Sequence, residues 1–245
     1  MNTLKDVKRA DALNRQCKWQ EELEGIIRAS IRASLSSSSA DIFEDLMLRF
    51  QAYYDRPLNN MTVLKKCTKQ ESGQLWEHFC LMYLHAKGYG QAWLIGDLPD
   101  EILEELNLTR KDYGIDIVVK HQNGYFAVQA KWRSNPHKKK HISLTWHQLS
   151  TFYALCARTG PWLKYIVMTN CDSVRRVGKK WKMDQTIAKA GFKGCKREVW
   201  ALLAGLGKGH VLTDTPEEEV KVQPSQDELR MLRIKALAMR EPRGN

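Results

Sequence analysis

Asp116, Gln129 and Lys131 bring an acid, an amide and an amine into one short stretch of the chain. They lie in residues 114–131, Gly-Ile-Asp-Ile-Val-Val-Lys-His-Gln-Asn-Gly-Tyr-Phe-Ala-Val-Gln-Ala-Lys, where two apolar runs flank a polar turn. Both runs alternate with period two and are rich in Val, Ile, Tyr and Phe, which predicts a β-hairpin. In its second strand Phe126, Val128, Ala130 and Trp132 share one face, and Tyr125, Ala127, Gln129 and Lys131 share the other. The polar groups then converge near one end of a hairpin that is otherwise built for burial. A buried ion without a partner is costly, so the cluster requires a metal, a counter-charge or water. Such a cluster suits a divalent cation and a water positioned against an anionic substrate.

The charge distribution points to the same kind of partner. The chain of 245 residues has a formal charge of +11 and a pI near 9.4. Between Lys131 and Lys182 stand twelve Lys or Arg against one acid, Asp172, so this stretch carries the whole excess. That is the footprint of a surface contacting a phosphate backbone. For any single one of these residues, an ordinary solvated face is the simpler reading. An apolar fraction of 43% and eight Trp indicate a folded globule with ample core. The six cysteines are widely spaced, with no C-x-x-C pair, which argues against a zinc site or a disulfide framework. Cys80 and Cys156 fall in apolar periodic segments and are expected in the core. No apolar run is long enough to span a membrane, and the first residues lack a signal-peptide core. A soluble, intracellular protein is expected, with cytoplasm and nucleus both open.

These residues need elements to position them. Apolar spacing of three and four predicts a helix over 4–34, broken by Ser36–Ser39. Ser39 or Asp41 then caps a second helix reaching about Tyr54, and Pro57 ends it. A third helix runs from Lys69 to about Lys87, closed by Gly88 and Gly90. Trp76, Phe79, Cys80, Tyr83 and Leu84 form its apolar stripe, with Glu77 beside it and Gly73 leaving space one turn earlier. A strand over 91–95 and an acidic helical segment over 97–107 precede the hairpin. After the hairpin come a basic loop, a helix over about 145–158 stopped by Gly160-Pro161, and an apolar strand over 163–169. Weaker signals suggest a helix over 197–205, a strand over 209–213 and a charged helix over 225–240. The order indicates a mixed α/β core with helices covering a small sheet.

In this order the motifs resemble the PD-(D/E)XK nuclease superfamily, and within it the Mrr-like restriction endonuclease domains. Those domains carry a glycine-to-acid helix motif, a Gly-Ile-Asp approach to the hairpin and a Gln-x-Lys strand. The counterparts here are Gly73–Glu77 with Trp76 in the aromatic place, Gly114-Ile115-Asp116, and Val128-Gln129-Ala130-Lys131. A later apolar strand ending in Thr-Asn also recurs in the family, matched by Tyr165–Asn170. The likeness covers roughly residues 70–180.

The resemblance implies a restriction-endonuclease-like α/β fold, a small mixed central sheet flanked by helices; the N- and C-terminal extensions, read as helical from their apolar spacing, lie outside it. The corresponding division is residues 1–65, a nuclease core over 66–185, and 186–245. It further implies a Mg²⁺- or Mn²⁺-dependent endonuclease hydrolysing DNA. Asp116 and Gln129 would hold the metal with the Ala130 carbonyl nearby, Glu77 would hold a coordinated water or a second ion, and Lys131 would aid the attacking water. Arg133, Lys138, Lys139, Lys140, Arg175, Arg176, Lys179 and Lys180 are candidate phosphate contacts, and a homodimer is expected. Trp146 and Trp181 could stack on bases, although the core is the commoner place for tryptophan. His137, His141 and His147 lie near the site in sequence. Gly205–Gly209 lacks the spacing and hydroxyl of a phosphate-binding loop.

Each assignment has a plainer counterpart. Asp116 could pair with Lys131 as a structural ion pair, Gln129 could satisfy a strand edge, and Lys131 could reach solvent. Glu77 could be an ordinary exposed helix residue. Two other functions fit the same residues: a non-catalytic nucleic-acid-binding module on this fold, and an assembly or scaffold protein with a basic face.

Overall fold

The structure is a computed structural model that describes residues 4–37, 41–55, 69–110, 114–134, 141–175 and 183–206, the stretches 4–18 and 69–72 by backbone alone. The chain divides into two compact units, Met1–Asp214 and Thr215–Asn245, and all described residues lie in the first. The expected strand over 209–213 and helix over 225–240 lie outside them. Among the described residues no helix is long and apolar enough to cross a membrane.

Three helices come first: α1 (Leu4–Ser36), α2 (Ile42–Tyr54) and α3 (Lys69–Ala86). Of the two candidate caps for α2, Asp41 is the one used, its Oδ1 accepting from the Glu44 N–H at 3.0 Å. A cap of this kind contributes about 1 kcal/mol. Gly88 and Gly90 follow α3 with φ of 69° and 121°, the left-handed region that favours glycine and turns the chain into the sheet.

The sheet is mixed, with order β1-β2-β3-β5-β7. Its strands are β1 (Gln91–Leu94), β2 (Ile117–His121), β3 (Gly124–Lys131), β5 (Trp162–Thr169) and β7 (Asp184–Ile187). The hairpin β2–β3 is antiparallel, with Ile117 opposite Val128. On its other side β3 pairs in parallel with β5, setting Gln129 beside Val167 and Lys131 beside Thr169. The parallel step requires a crossover, which the segment after β3 supplies: β4 (Ser143–Thr145), a 3₁₀ turn Trp146–Leu149 and α5 (Ser150–Cys156). A separate pair, β4 with β6 (Ser173–Arg175), forms a small parallel ribbon. Before the hairpin, α4 spans Asp100–Glu105; after β7 come α6 (Lys189–Lys193) and α7 (Arg197–Leu203).

Strand alternation divides the core in two, as period two requires. Ile117, Val119, Phe126, Val128, Ala130, Ile166 and Met168 face the cluster built by α1, α2, α3, α6 and α7. Val118, Tyr125, Ala127 and Val167 face the cluster built by α4 and α5. Helices therefore cover both faces of the sheet, the arrangement that near-continuous apolar central strands demand. Cys80 and Cys156 are buried core residues, as expected.

The periodicity did not show β4, β6, β7 or α6. The strands are three or four residues long with polar side chains, as in Ser-Leu-Thr, Ser-Val-Arg and Asp-Gln-Thr-Ile, so no alternation can develop. Tertiary contacts hold them instead. Phe192 of α6 is fully buried, its ring 4.9 Å from Phe43 and from Tyr83, 5.6 Å from Trp76 and 5.7 Å from Phe79. Lys193 pairs with Asp41 and Glu44 at 2.7 Å each, and Lys189 also pairs with Glu44. Burial pushes both carboxyls up, but both lysines at Glu44, and Lys193 with the Glu44 and Phe43 N–H groups at Asp41, more than reverse this and leave them below their usual range.

Truncating Phe192 to Ala is expected to lower stability by about 3–5 kcal/mol in chemical denaturation. Leu48→Ala, at a side chain 67% exposed, is expected to change it by less than about 0.5 kcal/mol.

Candidate active site

Asp116 sits one residue ahead of β2, and its main chain is tied on both sides. Its N–H donates to the Val128 carbonyl at 2.9 Å, and its carbonyl accepts from the Ile95 N–H at 3.0 Å. With the backbone fixed, the carboxylate reaches across to β3. There Oδ2 accepts the Ala130 N–H at 2.7 Å and a hydrogen of the Gln129 amide. Gln129 is 2% exposed, and its Nε2 is committed to Asp116, so Oε1 is the atom left to accept from or coordinate another group. Gly114 is needed because its φ is 135° and a Cβ there would lie 3.2 Å from the backbone of Phe152. The Gly-Ile-Asp motif thus combines a close approach to α5 with an acid at the strand end.

Glu77 arrives from α3, on the other helical layer. A Cβ at Gly73 would lie 3.4 Å from its Oε1, so the glycine does leave the space over which this side chain folds. The neighbouring Trp76 is buried, and its Nε1 points to the Met168 carbonyl at 3.5 Å, which fixes α3 against β5.

Lys131 ends β3, opposite Thr169. The buried Thr169 hydroxyl donates to the Lys131 carbonyl at 2.8 Å. One residue later the Asn170 side chain takes over: its Oδ1 accepts the Arg133 N–H and its Nδ2 donates to the Arg133 carbonyl, both at 2.8 Å. Trp132, between them, packs on Tyr54 at 5.2 Å, Trp76 at 5.6 Å and Phe50 at 6.3 Å. Ser134 donates to Gln51 Oε1 at 3.1 Å. The chain leaving the site therefore rests on α2. The sequence carried only the Thr-Asn pair as a sign of this; its partner Arg133 and the support from α2 are visible only in the fold.

The electrostatics single out two acids. Burial, then the Asp116 charge, push the Glu77 carboxyl up to about 7, with Lys131 opposing. Burial pushes Asp116 up to about 6, opposed by the Ala130 N–H, Lys131 and Gln129. Glu77, Asp116 and Lys131 thus act on one another through charge, and the plain reading of Glu77 as an exposed helix residue does not hold. Among the described residues Lys131 forms no ion pair within 4.0 Å, so Asp116 is not closed off by a direct salt bridge.

Two acids short of positive charge fit a cation. Among the described residues no three His, Cys, Asp or Glu gather as a metal cage. The available donors are all oxygens: the Asp116 and Glu77 carboxylates, Gln129 Oε1 and the Ala130 carbonyl. Such a sparse oxygen set fits a hard divalent ion that retains several waters, rather than zinc.

Of the candidate phosphate contacts, Arg133 follows the strand end directly and Arg175 is exposed on β6. Lys138, Lys139, Lys140, Arg176, Lys179 and Lys180 lie outside the described residues, as do His137 and Trp181. Trp146 stacks on Tyr153 at 4.3 Å and packs against the second core cluster. His141 is exposed, 3.5 Å from Asp172, and His147 is exposed on the 3₁₀ turn. Asp172, the single acid of the basic stretch, accepts the Ile142 N–H at 2.7 Å and ties the small ribbon together.

The raised carboxyls set a pH dependence. Between about pH 4 and 7 the folded chain holds protons that the unfolded chain has released, so metal-free stability falls as pH rises through that window. Glu77→Gln removes part of this loss. In thermal melts without metal, the variant is expected to exceed wild type at pH 8 and to match it near pH 4. A constant difference across the range would contradict the assignment.

Residues 83–190 match a family model for a restriction endonuclease of the Mrr catalytic type. No curated protein and no solved structure matches the chain. The match covers the hairpin, Gln129, Lys131 and the Thr-Asn strand end, and it begins after Glu77. With its mixed sheet flanked by helices, the segment 83–190 is similar to an Mrr-like restriction endonuclease domain of the PD-(D/E)XK nuclease superfamily.

Proposed function

We propose that this chain is a metal-dependent endonuclease that hydrolyses DNA phosphodiester bonds. The observation that carries the reading is the meeting of Asp116 and Gln129 beside the strand end that bears Lys131, with Glu77 of α3 close enough to feel the charges of Asp116 and Lys131. Asp116, Gln129 Oε1 and the Ala130 carbonyl would hold Mg²⁺ or Mn²⁺. When bound, the ion supplies charge neutralisation at the scissile phosphate and makes a coordinated water more acidic.

The chain's own residues do the remainder. Lys131 orients the attacking water and offsets charge that develops on the phosphoryl oxygens. Burial and the Asp116 charge raise the Glu77 carboxyl while no ion is bound; the ion's charge would favour its ionised form, which can accept a hydrogen bond from that water. The water oxygen bonds to phosphorus and gives up a proton to bulk water, the phosphorus–oxygen bond to the leaving sugar breaks, and that oxygen takes a proton from bulk water. With an amide in place of a second strand carboxylate, one ion held weakly until substrate arrives is the expected stoichiometry. The basic excess of residues 131–182 would bind the backbone on either side, which sets affinity and register. Two copies acting on opposite strands would complete a double-strand break.

The test is nicking of supercoiled plasmid with Mg²⁺ or Mn²⁺, with and without EDTA. Wild type is expected to nick and EDTA to abolish it, while Lys131→Ala and Asp116→Asn lower the rate by about 100-fold or more. If wild type and Lys131→Ala are equally inert yet both bind DNA, the chain is a binding module. Loss of DNA binding as well would leave the scaffold reading.

A further inference from the structure

We propose that Asn170 is a positioning residue that locks the main chain of Arg133, so that the Arg133 guanidinium takes a DNA phosphate beside Lys131. The proposal rests on the DNA-cleaving reading above and adds to it a residue and a contact. The parallel ladder between β3 and β5 ends at the pair Lys131 and Thr169. Beyond it Asn170 lies in a bend, yet its carboxamide offers Arg133 the acceptor and the donor that a further rung would have supplied. A carboxamide provides both from one planar group at any pH. Thr169 and Asn170 thus grip Lys131 and Arg133, the two charged residues, while Trp132 between them is packed into the first core cluster.

With Trp132 turned that way, Arg133 belongs to the other face. Its charge acts on the buried thiol of Cys171, a member of the second cluster. Among the described residues Arg133 has no carboxylate partner within 4.0 Å, and its buried Nε has no acceptor. Asp172 is occupied by the Ile142 N–H, with His141 and Lys189 nearby. Nε is sealed from solvent, so a phosphate would meet the outer guanidinium nitrogens, which have no hydrogen-bond partner among the described residues. A charged donor so placed gains once an anionic oxygen arrives. An arginine whose main chain is held two residues past the proposed catalytic lysine matches a phosphate next to the scissile one.

The experiment measures duplex binding by fluorescence anisotropy across a salt series in EDTA, with plasmid nicking in Mg²⁺ assayed on the same preparations. Asn170→Ala is expected to weaken binding about tenfold and to flatten the salt dependence by about one phosphate contact. Arg133→Gln should do the same, and the double variant should bind no more weakly than Arg133→Gln alone. Asn170→Asp retains the acceptor for the Arg133 N–H but loses the donor, and should also weaken binding. It carries the cycle should the Ala variant melt far below wild type. Unchanged affinity in the Asn170 variants, or losses that add in the double variant, overturns the proposal. If wild type nicks while these variants bind normally, only the Asn170 proposal falls. If the cycle couples but wild type never nicks, cleavage falls and the Asn170 role stands. Wild type without salt-dependent binding overturns both.

Discussion

The Asp116 carboxylate is the point on which the rest of the arrangement turns. It leaves its own strand end and accepts the Ala130 N–H and the Gln129 amide of the next strand. An acid in this position has two options: to stay protonated, or to share its charge with a cation. Three donors or charges favour ionisation, yet burial outweighs them and holds the carboxyl near 6. The hairpin therefore presents an acid whose ionised form wants one more positive partner, next to a lysine that makes no direct pair with it. That unmet demand is the physical reason for reading the cluster as a cation site rather than a closed salt bridge.

The elements around it serve this strand end from several directions. α3 is pinned to β5 through Trp76 and brings Glu77 in. α2 receives Trp132 and Ser134 through Phe50, Tyr54 and Gln51, and is itself braced by Lys189 and Lys193 of the short α6. α1 and α7 close the layer reciprocally. Arg32 donates to the Ala204 carbonyl at 2.8 Å, and Arg197 donates to the Leu35 carbonyl at 2.8 Å, each satisfying a helix end. α1, α2 and α7 thus share one core cluster with the sheet.

Much of this was legible in the sequence where a strong period existed. α1, α2, α3, the hairpin and β5 follow from apolar spacing, and Gly73 and Glu77 were paired by their separation of one helical turn. The Asp116–Gln129–Lys131 grouping followed from alternation alone. What stayed hidden lacked a period: β7 and the β4–β6 ribbon are short and polar, and α6 is held by Phe192 and two lysines rather than by its own amphipathicity. The support of Lys131 and Arg133 by Thr169 and Asn170 was hidden for another reason. It joins residues 37 or 38 positions apart, across a parallel pairing whose register no local pattern encodes.

The central claim is that a divalent ion binds at the Asp116 strand end. Crystals grown with a short duplex and Mn²⁺, measured for anomalous scattering, test it most directly. The account predicts a peak within coordination distance, about 2.0–2.6 Å, of an Asp116 carboxylate oxygen and the Ala130 carbonyl. A crystal with ordered DNA phosphate against Lys131 and no such peak, or a peak held elsewhere, would contradict it.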